Sequence, residues 1–277
     1  MKKRMDVSRW LLFIMLGMSA STTGFAVEAG EQIEYRKSVM KTLDEEMAAY
    51  RSAAELNAPP AVLAKHLKSL AMTSGQIKKA FEPRVEGGRA KDDIWKKWPD
   101  FLKRAESQAL KLQQLSESAG AAGATAASID LKSALGCSGC HEAYRNPLAS
   151  GSPEVRTAGA NPIDYRKQIM RSIDAQTSAI GQILSGTISD ENFASHLEVV
   201  SINAGLANTA FERVAQGGDA LPKVWQDHAK FLRTMQEFSD NAAKAAKIAR
   251  QDGKDAATVA VIDALPCRQC HEVYRRK

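Results

Sequence analysis

Cysteine and histidine residues recur in this chain in a pattern that could attach a cofactor covalently and bind its metal ion. All four cysteines fall into two Cys-x-x-Cys-His motifs, at positions 137–141 and 267–271. Two thiols one helical turn apart can add across the two vinyl groups on one edge of a porphyrin, and the adjacent imidazole can then bind the iron. The motifs therefore predict two covalently bound haem c groups. The predicted attachment residues are Cys137, Cys140, Cys267 and Cys270, and the predicted iron ligands are His141 and His271.

Other uses of paired cysteines fit the sequence less well. A thioredoxin-like dithiol expects a strand–helix context, and the chain has no credible strand pattern. Two structural disulfides would not explain a histidine after each pair. A zinc site could use two cysteines and one histidine but would need a fourth ligand.

The two motifs belong to two copies of one longer unit. The second half repeats residues of the first at one constant shift, the shift that relates Tyr35 to Tyr165, without insertion or deletion. The other identical pairs include Arg36 and Arg166, Met40 and Met170, His66 and His196, Phe81 and Phe211, Trp95 and Trp225, and Phe101 and Phe231. The chain is therefore a tandem duplication of a domain-sized unit.

A segment rich in proline and glycine separates the copies. Residues 147–162 include Pro147, Gly151, Pro153 and Pro162, which exclude a continuous helix. We predict domains at 27–146 and 163–277 joined by this linker. The linker would allow the domains to move unless a shared interface holds them together.

Hydrophobic residues at spacings of three and four predict four helices in each unit. In the first copy they run from near Ile33 to Leu56, from Ala61 to Phe81, through Trp95 to Leu112, and from Ala124 to Arg145. Short loops between such helices favour an antiparallel bundle. The predicted fold class is all-α, with two tandem antiparallel four-helix bundles.

The amino-terminal segment 1–26 has the features of a secretory signal peptide. Lys2, Lys3 and Arg4 precede an apolar run from Trp10 to Met18, and small residues lead to a cleavage site after Ala26. The apolar run is about half the ~20 residues of a membrane-spanning helix. We expect an exported mature protein, located in the periplasm if the source is a bacterium.

Charge gives no reason to expect a nucleic-acid partner. The formal net charge is +6, but residues 1–26 contribute +3 of it, from four basic residues and one acidic residue. Basic and acidic residues are interspersed over the remaining chain. No patch suited to a polyanion is therefore predicted.

Each repeat resembles the cytochrome c′ family and its low-spin relatives. The residues that carry the resemblance are Tyr-Arg-Lys-x-x-Met on the first helix, Trp-x5-Phe-Leu on the third, and Cys-x-x-Cys-His-Glu-x-Tyr-Arg at the end of the fourth. The resemblance implies bundles of cytochrome c′ type with His141 and His271 as proximal ligands. Family members usually hold one haem and often form dimers, so a dimer of chains and an intramolecular pseudo-dimer are both expected arrangements.

The resemblance places Met40 and Met170 on the opposite face of each haem. A thioether there would favour ferrous iron and raise the potential. A methionine at helical spacing also commonly fills space in a core, so ligation and packing both stay open.

The resemblance also assigns roles to arginines. It places Arg36 and Arg166, four residues before the methionines, near the haem propionates, which a guanidinium can pair with. Arg145 and Arg275, four residues after each proximal histidine, would border the imidazole, although a surface position is an equal alternative.

The remaining histidines carry weaker expectations. His66 and His196 on the second helix are expected to face solvent, and distal iron ligation is the minor alternative. His228 has no counterpart, because the first copy has Trp98 there.

The predicted function is one-electron transfer by a dihaem c-type cytochrome that acts as a carrier and not as an enzyme, with redox proteins as partners. The alternative is a five-coordinate haem protein that binds nitric oxide or carbon monoxide. These two functions differ in whether Met40 and Met170 ligate iron.

Overall fold

Helices form the regular structure of both halves in the computed structural model, which describes residues 22–121, 131, 135–147 and 161–276. The first half contains α1 (Thr22–Glu55), α2 (Pro60–Phe81), α3 (Asp93–Lys96), α4 (Trp98–Gly120) and α5 (Cys137–Tyr144). The second half contains α6 (Pro162–Leu184), a 3₁₀ turn (Asp190–Asn192), α7 (Phe193–Glu212), α8 (Lys223–Gln226), α9 (His228–Ala264) and α10 (Cys267–Tyr274). Sheet-type pairing in the described residues consists of two isolated bridges, so the all-α class is confirmed.

The first two helices of each half follow the predicted periodicity. Pro60 and Pro162 stand in the first turns of α2 and α6, where a missing backbone N–H is tolerated. The side chain of Asn161 caps α6 by accepting hydrogen bonds from the backbone N–H groups of Ile163 and Asp164. The first helix begins at Thr22 and not near Ile33, while the expected signal peptide lies mostly outside the described residues.

The predicted third helix is two helices in the structure. The backbone leaves helical geometry at Lys97 (φ −119°, ψ 38°) and at the equivalent Asp227 (φ −102°, ψ 28°). Pro99 follows the break in the first half, but the second half has an alanine there and still breaks. The short α3 and α8 therefore belong to the shared fold and do not depend on proline.

The predicted fourth helix is interrupted before its cysteines. In the second half, Gly253 has φ 86° and ψ 178° and divides α9 into helical segments 228–252 and 254–264. Leu265 and Pro266 then separate the second segment from α10. The equivalent segment of the first half, residues 122–130 and 132–134, lies outside the described residues.

Backbone contacts show that this fourth segment runs back along the third. The backbone N–H of Arg276 donates to the carbonyl of Asp219 at 2.7 Å, and that of Leu221 donates to Tyr274 at 2.9 Å. The carboxyl end of the chain thus returns to the beginning of the third helix, which makes the segments antiparallel. Asn146 and Arg89 are joined in the same way in the first half, at 2.8 Å.

The two halves share an extensive interface. Helix α1 packs against α6, and α2 packs against α7, while α4 and α9 cover the outer sides of α2 and α7. Of the predicted linker 147–162, residues 148–160 lie outside the described residues. The shared interface that was given as the condition for fixed domains is thus present, because α1, α2, α6 and α7 pack together and each contacts two of the others.

Apolar residues of α2 show how this packing arises. Leu63, Leu67 and Leu70 recur one turn apart and are fully buried. Burial of each such side chain contributes about 1.5–3 kcal/mol relative to exposure. No helix among the described residues has the length and apolar character needed to cross a membrane.

Candidate functional site

Each Cys-x-x-Cys-His motif lies on its own short helix. In α5 and α10 the two cysteines are three residues apart, which places their thiols on one side of the helix. Cys137 and Cys267 are exposed, Cys140 and Cys270 are half-buried, and all four are free thiols. Although two of the cysteines are exposed, the loss of solvent around each sulfur on its protein side is the main factor that raises the pKa of each thiol, so the thiols remain protonated at neutral pH.

The loop between α2 and α3 anchors the first of these helices. The backbone N–H of Lys91 donates to the carbonyl of Tyr144 at 3.0 Å, and Lys91 Nζ donates to the carbonyl of Glu142 at 2.7 Å. The buried ring of Tyr144 packs edge-on against Phe101, with 5.4 Å between the centroids. The hydroxyl of Tyr144 donates to Asp100. These contacts fix the orientation of α5 without using its cysteines or its histidine.

The predicted axial histidines make no hydrogen bond to a carboxylate within the part of the chain that the structure describes. Partial burial, followed by the positive charges of Arg145 and Arg89, lowers the pKa of His141. Partial burial and Arg275 lower the pKa of His271. A neutral imidazole is the form that binds a metal ion, so both histidines are suited to the predicted role.

The arginine that follows the proximal histidine lies beside it in the first half. Arg145 Nη1 lies 3.4 Å from His141 Nδ1. Arg89 and Lys91 line the same open depression beside His141. The equivalent positions of the second half are Asp219 and Leu221, so the two histidines have different electrostatic surroundings.

The predicted methionine ligands lie on the first helix of each half. Met40 on α1 and Met170 on α6 are half-buried and pack against the core. The carboxylates of Asp44 and Asp174, one turn after each methionine, lie close enough to influence His141 and His271 electrostatically. Residues four apart share a helical face, so each methionine lies on the same side of its helix as that aspartate. Iron ligation by these methionines remains a prediction.

Arg36 is buried and fully engaged with the backbone. Its guanidinium donates to the carbonyls of Ala80 at 3.1 Å, Pro83 at 2.7 Å and Val85 at 2.7 Å. It also lies over the rings of Phe81 and Trp95. Burial lowers the pKa of Arg36 to about 10, which leaves it charged at neutral pH. In the described structure Arg36 therefore holds the end of α2 and the loop that follows.

Arg166 has the same position in the second half but fewer partners. Its Nη2 donates to the carbonyl of Ala215 at 2.7 Å, and its guanidinium lies over Phe211 and Trp225. Its Nη1 is buried without a partner among the described residues. A buried guanidinium N–H needs an acceptor, and a propionate is an anionic acceptor of the right chemistry. The donor set of the second half therefore fits a haem, with the propionate contact itself still a prediction.

The aligned histidines of the second helices do not face solvent, which corrects that expectation. His66 and His196 are fully buried at the interface between the halves. His66 Nε2 lies 2.9 Å from the hydroxyl of Tyr165, and His196 Nε2 lies 2.7 Å from the hydroxyl of Tyr35. Each histidine is thus hydrogen-bonded to the tyrosine of the other half.

This pair of cross-domain contacts was missed by the reasoning from sequence. The sequence feature that could have indicated these contacts is that Tyr35 and His66 both recur in the second copy, as Tyr165 and His196. The partners are 99 and 161 residues apart, so spacing alone does not connect them.

His228, which lacks a counterpart, also makes a structural contact. Its Nε2 donates to the carbonyl of Phe211 at 2.8 Å. In the first half the indole N–H of Trp95 donates to the equivalent carbonyl of Phe81, also at 2.8 Å. His228 therefore secures the end of α7, and no ligand role follows from its position.

A zinc site finds no further support. Among the described residues, no group of three or more histidine, cysteine, aspartate and glutamate side chains is placed to hold a metal ion. The cysteines and the histidine of each motif would therefore lack the fourth protein ligand of a structural zinc site.

Comparison with known proteins agrees with the division into two halves. The family model described as cytochrome C′ matches residues 31–145 and again residues 161–275, so the two matches are related by the same shift as the repeated residues. A cytochrome c′ of Alcaligenes xylosoxydans xylosoxydans is 35% identical over 83 residues, which cover 30% of this chain. The matched segment spans 65% of that relative, slightly less than two thirds of its length. No solved structure matches the chain.

Proposed function

The chain belongs to the cytochrome c′ family, with one family domain in each half, and we propose that it is an exported dihaem c-type cytochrome that transfers single electrons between redox proteins. The observation that carries the proposal is the same constellation in both halves. A Cys-x-x-Cys-His helix is hydrogen-bonded to the loop that follows the second helix, and a half-buried methionine on the first helix packs against the core.

Different side chains of each site would bind different parts of the cofactor. Cys137 and Cys140 would fasten the first haem by thioether bonds, and Cys267 and Cys270 the second. His141 and His271, kept neutral at pH 7, would bind iron from one side. Haem iron supplies a ferric–ferrous couple, and two axial protein ligands limit the structural change when its charge changes.

The interface between the halves would serve electron transfer by holding the two sites at a constant separation. Helices α1 and α6 carry the methionines and also pack against each other. A covalent pseudo-dimer of this kind keeps two redox centres together at any protein concentration. It would let one chain hold two electrons or relay one between partners.

The export pathway and the domain limits belong to the same proposal. We place the cleavage after Ala26, the haem domains at 27–146 and 163–277, and the mature protein in the periplasm. The basic start of the chain and the short apolar run support this placement. Haem attachment through thioether bonds is consistent with an exported chain.

Gas binding is the second candidate, and membership of the cytochrome c′ family favours it. If Met40 and Met170 only pack against the core, each iron keeps one open position. Such an open position would admit nitric oxide or carbon monoxide. The chain would then sense or remove a gas and would not act mainly as a carrier.

Absorption spectra distinguish the two functions. The purified ferric and ferrous protein is measured with and without carbon monoxide. Low-spin spectra that carbon monoxide does not change support the electron carrier. High-spin spectra that shift on addition of carbon monoxide contradict it and support gas binding.

A further inference from the structure

The two faces that meet between the halves differ at equivalent positions, although their Tyr–His contacts are reciprocal. The first half presents α1 and α2 to the interface, and the second half presents α6 and α7. Tyr35 contacts His196, and the equivalent Tyr165 contacts His66, so an approximate twofold axis relates the halves. The side chains that differ between the copies decide whether a face pairs better with the unlike half or with a second copy of itself.

Lys68 of α2 lies at this axis, because it contacts its own counterpart in the other copy. Its Nζ lies 3.4 Å from Oε1 of Glu198 on α7, the residue that the internal repeat aligns with Lys68. A residue on a twofold axis meets itself in a pair of like halves. Two first halves would therefore bring two lysines together and two second halves two glutamates, whereas the unlike pair joins opposite charges.

Solvent screens this ion pair only in part. The exposed fractions are 48% for the Lys68 side chain and 24% for the Glu198 side chain. Arg250 of the second half also contacts the Glu198 carboxylate, so a pair of second halves would keep some balancing charge. A pair of first halves would have lysines alone at the axis and would meet the larger repulsion.

A second ion pair between the halves has no equivalent on the other side of the axis. Lys79 Nζ of α2 lies 2.7 Å from Oε2 of Glu191 in the 3₁₀ turn of the second half. The internal repeat aligns Lys79 with Thr209 and Glu191 with Ala61. A pair of like halves would face lysine with alanine, or glutamate with threonine, and would lose the ion pair in both cases.

A buried glutamine disfavours the pairing of two second halves. Gln76 of α2 is fully buried, donates from Nε2 to Ser195 Oγ at 3.1 Å, and accepts at Oε1 from Gln176 Nε2 at 3.3 Å. Both partners belong to the second half, whose own residue at this position is the fully buried Leu206. A leucine opposite Ser195 and Gln176 would remove these hydrogen bonds and leave polar groups without them, which is costly.

A buried asparagine disfavours the pairing of two first halves. Asn192 Nδ2 donates to the hydroxyl of Tyr35 at 2.8 Å and to the carbonyl of Gln76 at 3.1 Å, both in the first half. The internal repeat aligns Asn192 with Val62, which has no side-chain donor. Two first halves would therefore place a valine where Tyr35 now receives a hydrogen bond.

The differences at the axis, in the ion pairs and in the buried amides all favour the same pairing. We propose that the two faces are heterotypic recognition surfaces, each of which binds the unlike half of this chain in preference to a second copy of itself. The chain then closes on itself, and one Cys-x-x-Cys-His site of each kind stays in every pair. Like halves of neighbouring chains are left without a favourable contact through these faces.

Refolding of a cut chain tests this preference. A protease site introduced within residues 148–160 allows the folded, haem-loaded chain to be cut between the halves, so both halves remain present in equal amounts. The cut protein is unfolded in urea, refolded by dilution and examined by native mass spectrometry, with cut protein that was never unfolded as the control. We expect unlike complexes to exceed like complexes by about tenfold or more, which corresponds to about 1.4 kcal/mol.

Two results of this experiment would overturn the proposal. One is a statistical mixture of like and unlike complexes, and the other is halves that stay separate after cutting. Lys68→Glu gives the first half the charge of the second at the axis and should reduce the excess of unlike complexes. Lys111→Glu is the matched control, because Lys111 is exposed on α4, which covers the outer side of α2, and it should leave the excess unchanged.

Variants of the uncut chain test the axis residue even if the cut halves refold poorly. Lys68→Glu and Glu198→Lys each place like charges at the axis, and the double variant restores opposite charges. A double-mutant cycle of urea unfolding subtracts the separate effect of each change, including that of Glu198→Lys on Arg250. We expect a favourable coupling of about two- to fivefold in the unfolding constant. Strictly additive losses contradict the proposal, and both tests are independent of whether the haems carry electrons or bind gas.

Discussion

At the scale of single residues, the two halves use identical side chains in unequal surroundings. Met40 is followed by Leu43 and Met47 on α1, whereas Met170 is followed by Ile173 and Thr177 on α6. Arg36 contacts three carbonyls, whereas Arg166 contacts one. We therefore expect the two proposed haem sites to respond differently to equivalent substitutions.

Met40→Ala should change the spectrum of one haem. If the thioether ligates iron, its removal opens an axial position, and about half of the haem absorbance should become high-spin and sensitive to carbon monoxide. Met47→Ala is the matched control on the same helix, since its counterpart is Thr177 and no ligand role is predicted for it. An unchanged spectrum in Met40→Ala would refute ligation by this residue.

Arg36→Leu should cost more stability than Arg166→Leu. The first change leaves the carbonyls of Pro83 and Val85 without their donor, whereas that of Ala80 still accepts from Gln32 Nε2 at 2.7 Å. The second change leaves one carbonyl unpaired, and each unpaired group costs about 1–3 kcal/mol. Denaturant unfolding of both variants measures the difference. Equal losses would show that the hydrogen bonds to Pro83 and Val85 contribute nothing to folding.

At the scale of helices, periodicity predicts where the first two helices of each half lie, because their core residues are local and regularly spaced. The breaks in the third and fourth helices could not be predicted in the same way. In the folded chain, contacts such as the hydrogen bond between Lys91 and Tyr144 hold the loop before α3 against the cysteine helix. Such contacts join distant parts of the chain and leave no periodic signal.

Gly253→Ala should destabilise the second half through the backbone alone. Gly253 has φ 86° and ψ 178°, a region that residues with a side chain rarely adopt, and strain there costs of order 1–3 kcal/mol. No atom lies within 4 Å of the added Cβ, so steric collision does not contribute.

Gly181→Ala is the control for that change. Gly181 lies inside α6, where the added Cβ also meets nothing, and alanine should stabilise the helix by roughly 0.5–1 kcal/mol. Thermal unfolding should therefore shift in opposite directions for the two variants. A shift of the same sign in both would contradict the assigned backbone geometry.

At the scale of the whole molecule, the interface between the halves is the feature that sequence reasoning described least well. Within its own half, a histidine on the second helix has no evident partner, so it is expected at the surface. In the structure its partner is a tyrosine of the other half. The cysteine motifs could be identified from sequence because all their chemistry lies within five residues. The Tyr–His contacts became visible only when the two copies were placed together.

Acid should weaken this interface through His196. Burial lowers its pKa to about 3, whereas a histidine in an unfolded chain titrates near 6.5. Between these values the unfolded state binds a proton that the native state does not, so stability falls as the pH is lowered from about 6.5, by up to about 1.4 kcal/mol per pH unit.

His196→Gln tests this dependence by removing the titrating group and keeping a polar side chain. Urea unfolding between pH 6.5 and pH 4 should show a shallower loss of stability in the variant than in wild type. Parallel curves would mean that His196 takes up its proton equally in both states, contrary to its burial between α1 and α6.

The most direct test of the whole account is the mass of the mature chain produced in a host that attaches haem c. We expect the polypeptide that begins after Ala26 to carry the mass of two haem groups, one bound through Cys137 and Cys140 and the other through Cys267 and Cys270. Bare polypeptide from such a host would contradict the assignment of both sites.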